Sequence, residues 1–136
     1  MTDRRVLARL RVTPCGGLER ITYVFSLEQV DSAYSVSVVE RNGLTRKQLR
    51  RRVTVSAALV QERLAELRQL TVPAFPVSPM VCDGEYIELT VEGECSSVTI
   101  GWWTIAPEGA DGIASFADWL RATGLCSDEV GDQENG

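Results

Sequence analysis

Apolar and polar side chains alternate along the first part of the chain, as in residues 4–12 (RRVLARLRV). Such alternation is typical of strands with one face in water. Turn residues at 14–17 (PCGG) and the Asn42-Gly43 pair predict breaks between strands, since Asn-Gly favours a tight hairpin. The sequence therefore predicts an antiparallel meander of four strands, over residues 4–12, 21–27, 34–40 and 44–55.

The spacing of apolar positions changes after Ser56. Residues 57–70 (AALVQERLAELRQL) repeat apolar side chains every three or four positions, which indicates an amphipathic helix with Ser56 as a candidate N-cap. Prolines in the following stretch, 71–79 (TVPAFPVSP), exclude a helix or a central strand there. The predicted core stripe of the helix contains Val60, Leu64, Leu67 and Leu70, with Leu59 beside them.

Residues 80–103 (MVCDGEYIELTVEGECSSVTIGWW) are predicted to form two strands joined by a turn at Gly93-Glu94. Trp102 and Trp103 must point to opposite faces of a regular strand, so one of them belongs to the core. A last helix is predicted over 113–123, with Gly124 as its stop. Its core-facing side chains are Ile113, Phe116, Ala117 and Leu120.

The predicted order is β-β-β-β-α-β-β-α. This order indicates an α+β fold, in which one antiparallel sheet of about six strands is covered on a single face by two helices. The 136 residues suit one domain, which we assign to residues 1–126. Residues 127–136 (SDEVGDQENG) contain four acids and no base, and they are predicted to be a disordered acidic tail.

The charge and the apolar content limit the classes of partner. The net charge is −5, but without the four acids of the tail, 15 of the 19 acids remain against 14 bases. A nearly neutral body disfavours a general nucleic-acid binder. No apolar run is long enough for a membrane span, and the N-terminus does not resemble a signal peptide. We therefore expect a cytoplasmic protein whose cysteines are reduced.

The residue types argue against catalysis. The chain has no histidine, and its four cysteines include no Cys-x-x-Cys pair, so neither a metal site nor a histidine base is expected. No phosphate-binding glycine loop is present. Glu88 and Glu92 lie about 13 Å apart along a strand, too far for two carboxylates to act on one bond. The sequence predicts a protein that is not an enzyme and has no cofactor.

Two charged segments are candidate binding sites. Residues 46–52 (RKQLRRR) contain five bases, which indicate either a patch for phosphates or an acidic partner, or an edge strand that uses charge against aggregation. Between Arg68 and Arg121 the chain has acids but no base, so the hairpin of 80–103 is acidic. This hairpin either binds a basic protein or is simply a soluble surface. The patch consists of Arg46, Lys47, Arg50, Arg51 and Arg52.

The exposed tryptophan of the 102–103 pair is the candidate anchor of the hairpin. An exposed Trp with Tyr86 beside it would be typical of a binding hot spot. The alternative is a tryptophan packed under the loop at Pro107 or under the last helix. The sequence therefore predicts binding of another protein with a basic surface. The predicted contact residues are Tyr86, Glu88, Glu92, Glu94 and Trp103.

The second half of the chain also carries a family resemblance. It combines Asp83-Gly84, a strand of the form Tyr-x-x-Leu-x-Val-x-x-Gly from Tyr86 to Gly93, a second strand ending at tryptophan, and Trp119-Leu120 in the closing helix. With Gly16-Gly17, this pattern is similar to emfourin-type metalloprotease inhibitors and, more loosely, to bacterial immunity proteins. The resemblance implies a stoichiometric protein binder without catalysis. The alternative is nucleic-acid or phosphate-ligand binding through the 46–52 patch.

Overall fold

The computed structural model describes residues 3–15, 21–70, 84–93, 95–126 and 134–135. Within them, the order of the main elements is the predicted one, and the α+β class is confirmed. The helices are α1 (Ala57–Arg68) and α2 (Asp111–Gly124). The strands are β1 (Arg4–Cys15), β2 (Ile21–Val30), β3 (Ala33–Asn42), β4 (Gln48–Val55), β5 (Gly84–Glu92), β6 (Ser97–Trp103) and β7 (Glu134–Asn135).

All the strands belong to one antiparallel sheet in the order β6-β5-β1-β2-β3-β4-β7. The first four strands form the predicted meander, and β5 joins the free side of β1 with Leu89 opposite Leu10. The β5–β6 hairpin and the arginine-rich β4 therefore lie towards opposite edges of the sheet. The acidic and basic segments of the sequence are separated in space as well, except that β1 brings its own arginines next to β5.

Both helices cover the same face of the sheet. α2 contacts β1 to β4, and α1 contacts mainly β3 and α2. The close fit is clearest at Gly124, where a Cβ atom would lie 2.6 Å from both Phe25 Cδ2 and Val38 Cγ2. Burial of these apolar side chains is the main stabilising contribution to the fold. The most deeply buried members of the core are Leu10, Val12, Phe25, Leu27, Val36, Val60, Leu89 and Leu120.

The predicted helix faces are confirmed for α2 and only in part for α1. All four predicted core residues of α2 are buried. In α1, Val60 and Leu64 are buried and Leu67 is partly buried against the core, whereas Leu59 is exposed because α1 lies mainly against β3 and α2. Leu70, predicted in the helix, is exposed and lies beyond its end at Arg68. Ser56 occupies the N-cap position, but its side chain makes no capping hydrogen bond. Among the described residues, no helix combines the length and apolar character that crossing a bilayer requires.

Two predicted turns differ from the structure. The β3–β4 connection is a loop over 43–47, in which Asn42 Oδ1 accepts hydrogen bonds from the N–H groups of Leu44 (2.9 Å) and Thr45 (3.1 Å). The side chain of Asn42 therefore closes a longer loop instead of a two-residue hairpin turn. Pro14, placed in a turn by the sequence, lies in β1 opposite Glu85. Gly16 and Gly17 lie outside the described residues.

The C-terminal tail is described at two positions. Glu134 and Asn135, part of the segment predicted to be disordered, pair as β7 with Arg50 and Leu49 on the outer side of β4. The predicted disorder of the other tail residues after Cys126 concerns positions that lie outside the described residues. The tail therefore returns, at these two positions, to the basic edge of the sheet.

Candidate functional site

The sheet face opposite the helices carries the candidate site, and no described helix lies on it. Strand pairing aligns its side chains in rows across the sheet. One row runs from Thr99 of β6 through Thr90, Arg9, Ser26 and Ser37 to Arg52 of β4. The next row contains Gly101, Glu88, Arg11, Val24, Val39 and Arg50. We call this surface the open face.

An aromatic pair lies at the β5–β6 corner of the open face. Trp102 is buried in the core, whereas Trp103 is 45% exposed and lies opposite Tyr86. The two ring centroids are 5.0 Å apart, with the planes tilted by 55°. The Tyr86 side chain lies over Gly101, where a Cβ atom would overlap its hydroxyl group. The glycine thus leaves room for Tyr86 to lie across β6 and support Trp103.

The acidic residues of the hairpin differ in the face of the sheet on which they lie and in their contacts. Glu88 and Glu92 lie on β5 and point to the open face, whereas Glu94 lies outside the described residues. Glu85 is bound to Arg121 of α2, with distances of 2.5 Å and 3.1 Å from the guanidinium nitrogens to the carboxylate oxygens. The hydrogen bond from Arg121 to Glu85 raises the pKa of Arg121. Glu85 is therefore partly neutralised within the protein, while Glu88 and Glu92 remain available for contacts.

Two arginines of β1 change the charge of this corner. Arg9 and Arg11 are exposed on the open face and lie opposite Thr90 and Glu88 of β5. Sequence reasoning missed them as site residues because the pairing of β1 with β5 joins distant parts of the chain. Their alternation with Leu10 and Val12 predicts that they are exposed to solvent, but it does not predict which strand lies next to them. The hairpin therefore does not present an isolated acidic face.

The residues of the predicted basic patch lie in three different parts of the structure. Arg46 and Lys47 lie in the β3–β4 loop, and Arg50 and Arg52 point to the open face. Arg51 points to the helix-covered face, near Tyr23. Burial and a hydrogen bond with Glu40 raise the pKa of Tyr23, against the smaller opposing effect of the charges of Arg121 and Arg51. Only part of the patch can therefore contact a single ligand on the open face.

A buried carboxylate organises the basic side of the open face. Glu28 is fully buried although it points to this face, because the arginine side chains lie over it. It forms an ion pair with Arg4, and its Oε2 atom lies 4.0 Å from Arg52 Nη2 without a hydrogen-bond partner. A β-bulge between Val6 and Ala8 places Arg4 on the open face. Glu28 thereby restrains two guanidinium groups that would otherwise move freely in water.

A cavity of about 580 Å³ lies between α1 and the β5–β6 hairpin. Its polar side chains include Arg5, Arg68 and the Tyr34 hydroxyl group, which accepts a 2.6 Å hydrogen bond from Gln61. Glu92 is the only carboxylate among its described lining residues. The cavity therefore contains no described pair of carboxylates that could act as acid and base on one substrate.

Known proteins provide no further identification of the site. Neither the family models, nor the curated proteins, nor the solved structures that were compared with this chain contain a match.

Proposed function

We propose that the protein is a non-catalytic binding domain that holds another protein on the open face at the β5–β6 corner. The observation that carries this proposal is the exposed Trp103 beside Tyr86, on a sheet face that no described helix covers. Large aromatic side chains next to polar neighbours are the residues that most often dominate binding energy at interfaces. The partner is expected to contribute an apolar pocket for Trp103.

The charges along β5 and β1 define the partner's surface further, with Glu88 two residues from Tyr86 and Glu92 at the far end of β5. Glu88 and Glu92 favour basic groups, which fits an inhibitor or immunity protein that occludes a cationic partner. Arg9 and Arg11 lie one strand away and favour acidic groups. The proposed partner therefore presents bases opposite β5 and acids opposite β1, and charge steers its orientation as well as its approach.

Affinity capture with the tagged protein in extracts of its source cell, followed by titration of the purified partner, tests this proposal. We expect one-to-one binding that Trp103→Ala weakens about 30-fold or more, the effect of losing a hot-spot side chain. Leu44→Ala is the matched control, because Leu44 is an exposed apolar residue in the β3–β4 loop. Equal affinities of the two variants would remove the aromatic corner from the interface.

The charges can be tested with the same partner. Glu88→Lys combined with Glu92→Lys is expected to weaken binding, whereas Glu62→Lys with Glu66→Lys makes the same change of charge on exposed positions of α1. A similar loss in both double variants would indicate an effect of net charge alone. A loss confined to the β5 variant supports direct contact with the hairpin.

Anion binding is a second candidate, favoured by a specific arrangement of arginines. Arg9 and Arg11 on β1 face Arg52 and Arg50 on β4 across β2 and β3. The side chains between them are uncharged: Ser26 and Ser37 in one row, Val24 and Val39 in the other. Three strand spacings separate the two pairs of Cα atoms by about 14 Å. The four guanidinium groups line both sides of a shallow trough that suits phosphate groups along a nucleic-acid backbone.

Fluorescence anisotropy with a labelled single-stranded oligonucleotide tests this second function. We expect salt-sensitive binding that Arg9→Ser with Arg11→Ser weakens as strongly as Arg50→Ser with Arg52→Ser, because the trough needs both sides. Arg46→Ser with Lys47→Ser in the loop is the matched control. The absence of binding at about 50 mM salt would exclude the trough as a nucleic-acid site.

A further inference from the structure

The outer side of β6 has no strand paired with it within the described ranges. Next to the β5–β6 ladder, the Thr104 N–H donates to Glu85 O (2.8 Å) and the Gly93 N–H donates to Ser96 O (2.7 Å). Both pairs continue the register in which Ile87 faces Trp102 and Leu89 faces Ile100. Hydrogen-bonded pairs alternate along an antiparallel ladder, so Val98, Ile100 and Trp102 bond β5. The N–H and C=O groups of Ser97, Thr99 and Gly101 therefore point away from the sheet. The Trp103 N–H does so too, whereas the Trp103 C=O accepts a hydrogen bond from the Ile105 N–H (2.5 Å).

As far as the described residues show, this edge lacks the features with which proteins prevent strand addition. Exposed edge strands are commonly protected by charged side chains, prolines, bulges or a covering segment. The opposite edge strand, β4, carries three arginines and pairs with β7. β6 (SVTIGWW) has no charge and no proline, its pairing with β5 is regular, and no strand within the described ranges pairs with its outer side. Two of its apolar side chains are also accessible, since Val98 is 65% and Trp103 45% exposed, whereas Trp102 is buried.

The sequence of β6 is complementary to itself in the antiparallel direction. With a two-fold axis at Ile100, the outward-pointing Thr99 pairs with Gly101 of a second copy, and Ser97 pairs with Trp103. On the helix-covered face, Ile100 meets its own copy and Val98 meets Trp102. Every such pair is uncharged, and both apolar pairs lie on one face, so neither like-charge repulsion nor a mismatch of faces opposes the pairing.

We infer that β6 is a dimerisation edge, through which two copies of the chain join their sheets by antiparallel β6–β6 pairing about a two-fold axis. Thr99 and Gly101 then exchange two backbone hydrogen bonds with each other across the axis, and the Trp103 N–H donates to the Ser97 C=O of the second copy. The contact is isologous, so it closes after two copies and leaves β4, with β7 on its outer side, at both ends of the joined sheet. This inference does not rest on the proposed function, because the ring of Trp103 stays on the open face opposite a serine.

Sedimentation of the full chain, from about 1 to 100 μM, tests this inference. We expect a species of twice the 15.0 kDa chain mass to form as concentration rises. Thr99→Pro removes an outward N–H without touching the β5 ladder, and it should raise the dimer dissociation constant at least tenfold. Thr99→Val is the matched control, because it also loses the 2.9 Å Thr90–Thr99 hydroxyl contact but keeps the N–H. It should remain dimeric.

Oxidative cross-linking tests the register independently of sedimentation. Facing Cα atoms in a non-hydrogen-bonded pair lie about 4.5 Å apart, within the range of a disulfide. The Ile100→Cys variant should therefore form a disulfide between the two copies at this position, identified by mass spectrometry. The Val98→Cys variant should not, since position 98 faces Trp102. A monomer at every concentration, a dimer that Thr99→Pro leaves intact, or preferential bonding at position 98 would overturn the inference.

Discussion

Replacing Phe25 with alanine is expected to lower the free energy of unfolding by about 3–5 kcal/mol, the largest effect of any single substitution that we predict. Phe25 is fully buried near the middle of β2, and Gly124 of α2 packs directly on its ring. Truncation removes apolar contacts and leaves a cavity that the helix cannot fill without moving. A domain of this size has a free energy of unfolding of about 5–15 kcal/mol, so the variant should retain only a small part of its stability.

Urea and thermal unfolding followed by circular dichroism measure this effect. We expect the thermal midpoint to fall by roughly 10–20 °C. Val24→Ala is the matched control, since Val24 is the preceding residue of β2 but points to the open face and is only partly buried. It should cost about 1 kcal/mol or less. A loss below about 1 kcal/mol for Phe25→Ala would contradict the packing of α2 on β2.

Replacing Arg4 with methionine is expected to cost about 2–3 kcal/mol, because it leaves the buried Glu28 carboxylate without its main partner. The remaining neighbour, Arg52, lies 4.0 Å away and is more than half exposed. The effect should be near the lower end of the range for buried ion pairs, since the Arg4 side chain is itself more than half exposed. Arg9→Met, an exposed position of the same strand, is the matched control.

A double variant separates the charge effect from lost packing. Glu28→Leu in the Arg4→Met background replaces the ion pair with apolar side chains of similar volume, a change that is often neutral or stabilising. We therefore expect the double variant to be more stable than Arg4→Met alone, with clear non-additivity in unfolding experiments. If Glu28→Leu lowers stability further in that background, the buried carboxylate has a stabilising partner other than Arg4.

The aromatic corner illustrates how far local sequence can predict a site. Alternation placed Ile87, Leu89, Ile100 and one tryptophan on a common face, and this is the arrangement found. It left undecided which tryptophan was buried, because a one-residue shift in the register of the strand would exchange its two faces. The register of β5 with β1 resolves this choice, since Leu89 lies opposite the buried Leu10.

The charge of the site could not be predicted in the same way. The sequence presents basic and acidic segments far apart, and nothing in either segment indicates that β5 pairs with β1. That pairing places Arg11 opposite Glu88 and converts an expected acidic surface into one with both charges side by side. The β-bulge before Ala8 adds Arg4 to the same surface by shifting the register of β1 by one residue.

The sequence by itself determined the elements of this protein, because the two periods of apolar side chains and the turn residues are local properties. It also determined that β6 is uncharged and that one of its two terminal tryptophans faces away from the core. The tertiary structure alone decided the strand order, which sets the neighbours of every charge and leaves β6 at an edge. Strand order depends on contacts between distant segments, whose free energy of association no local pattern contains.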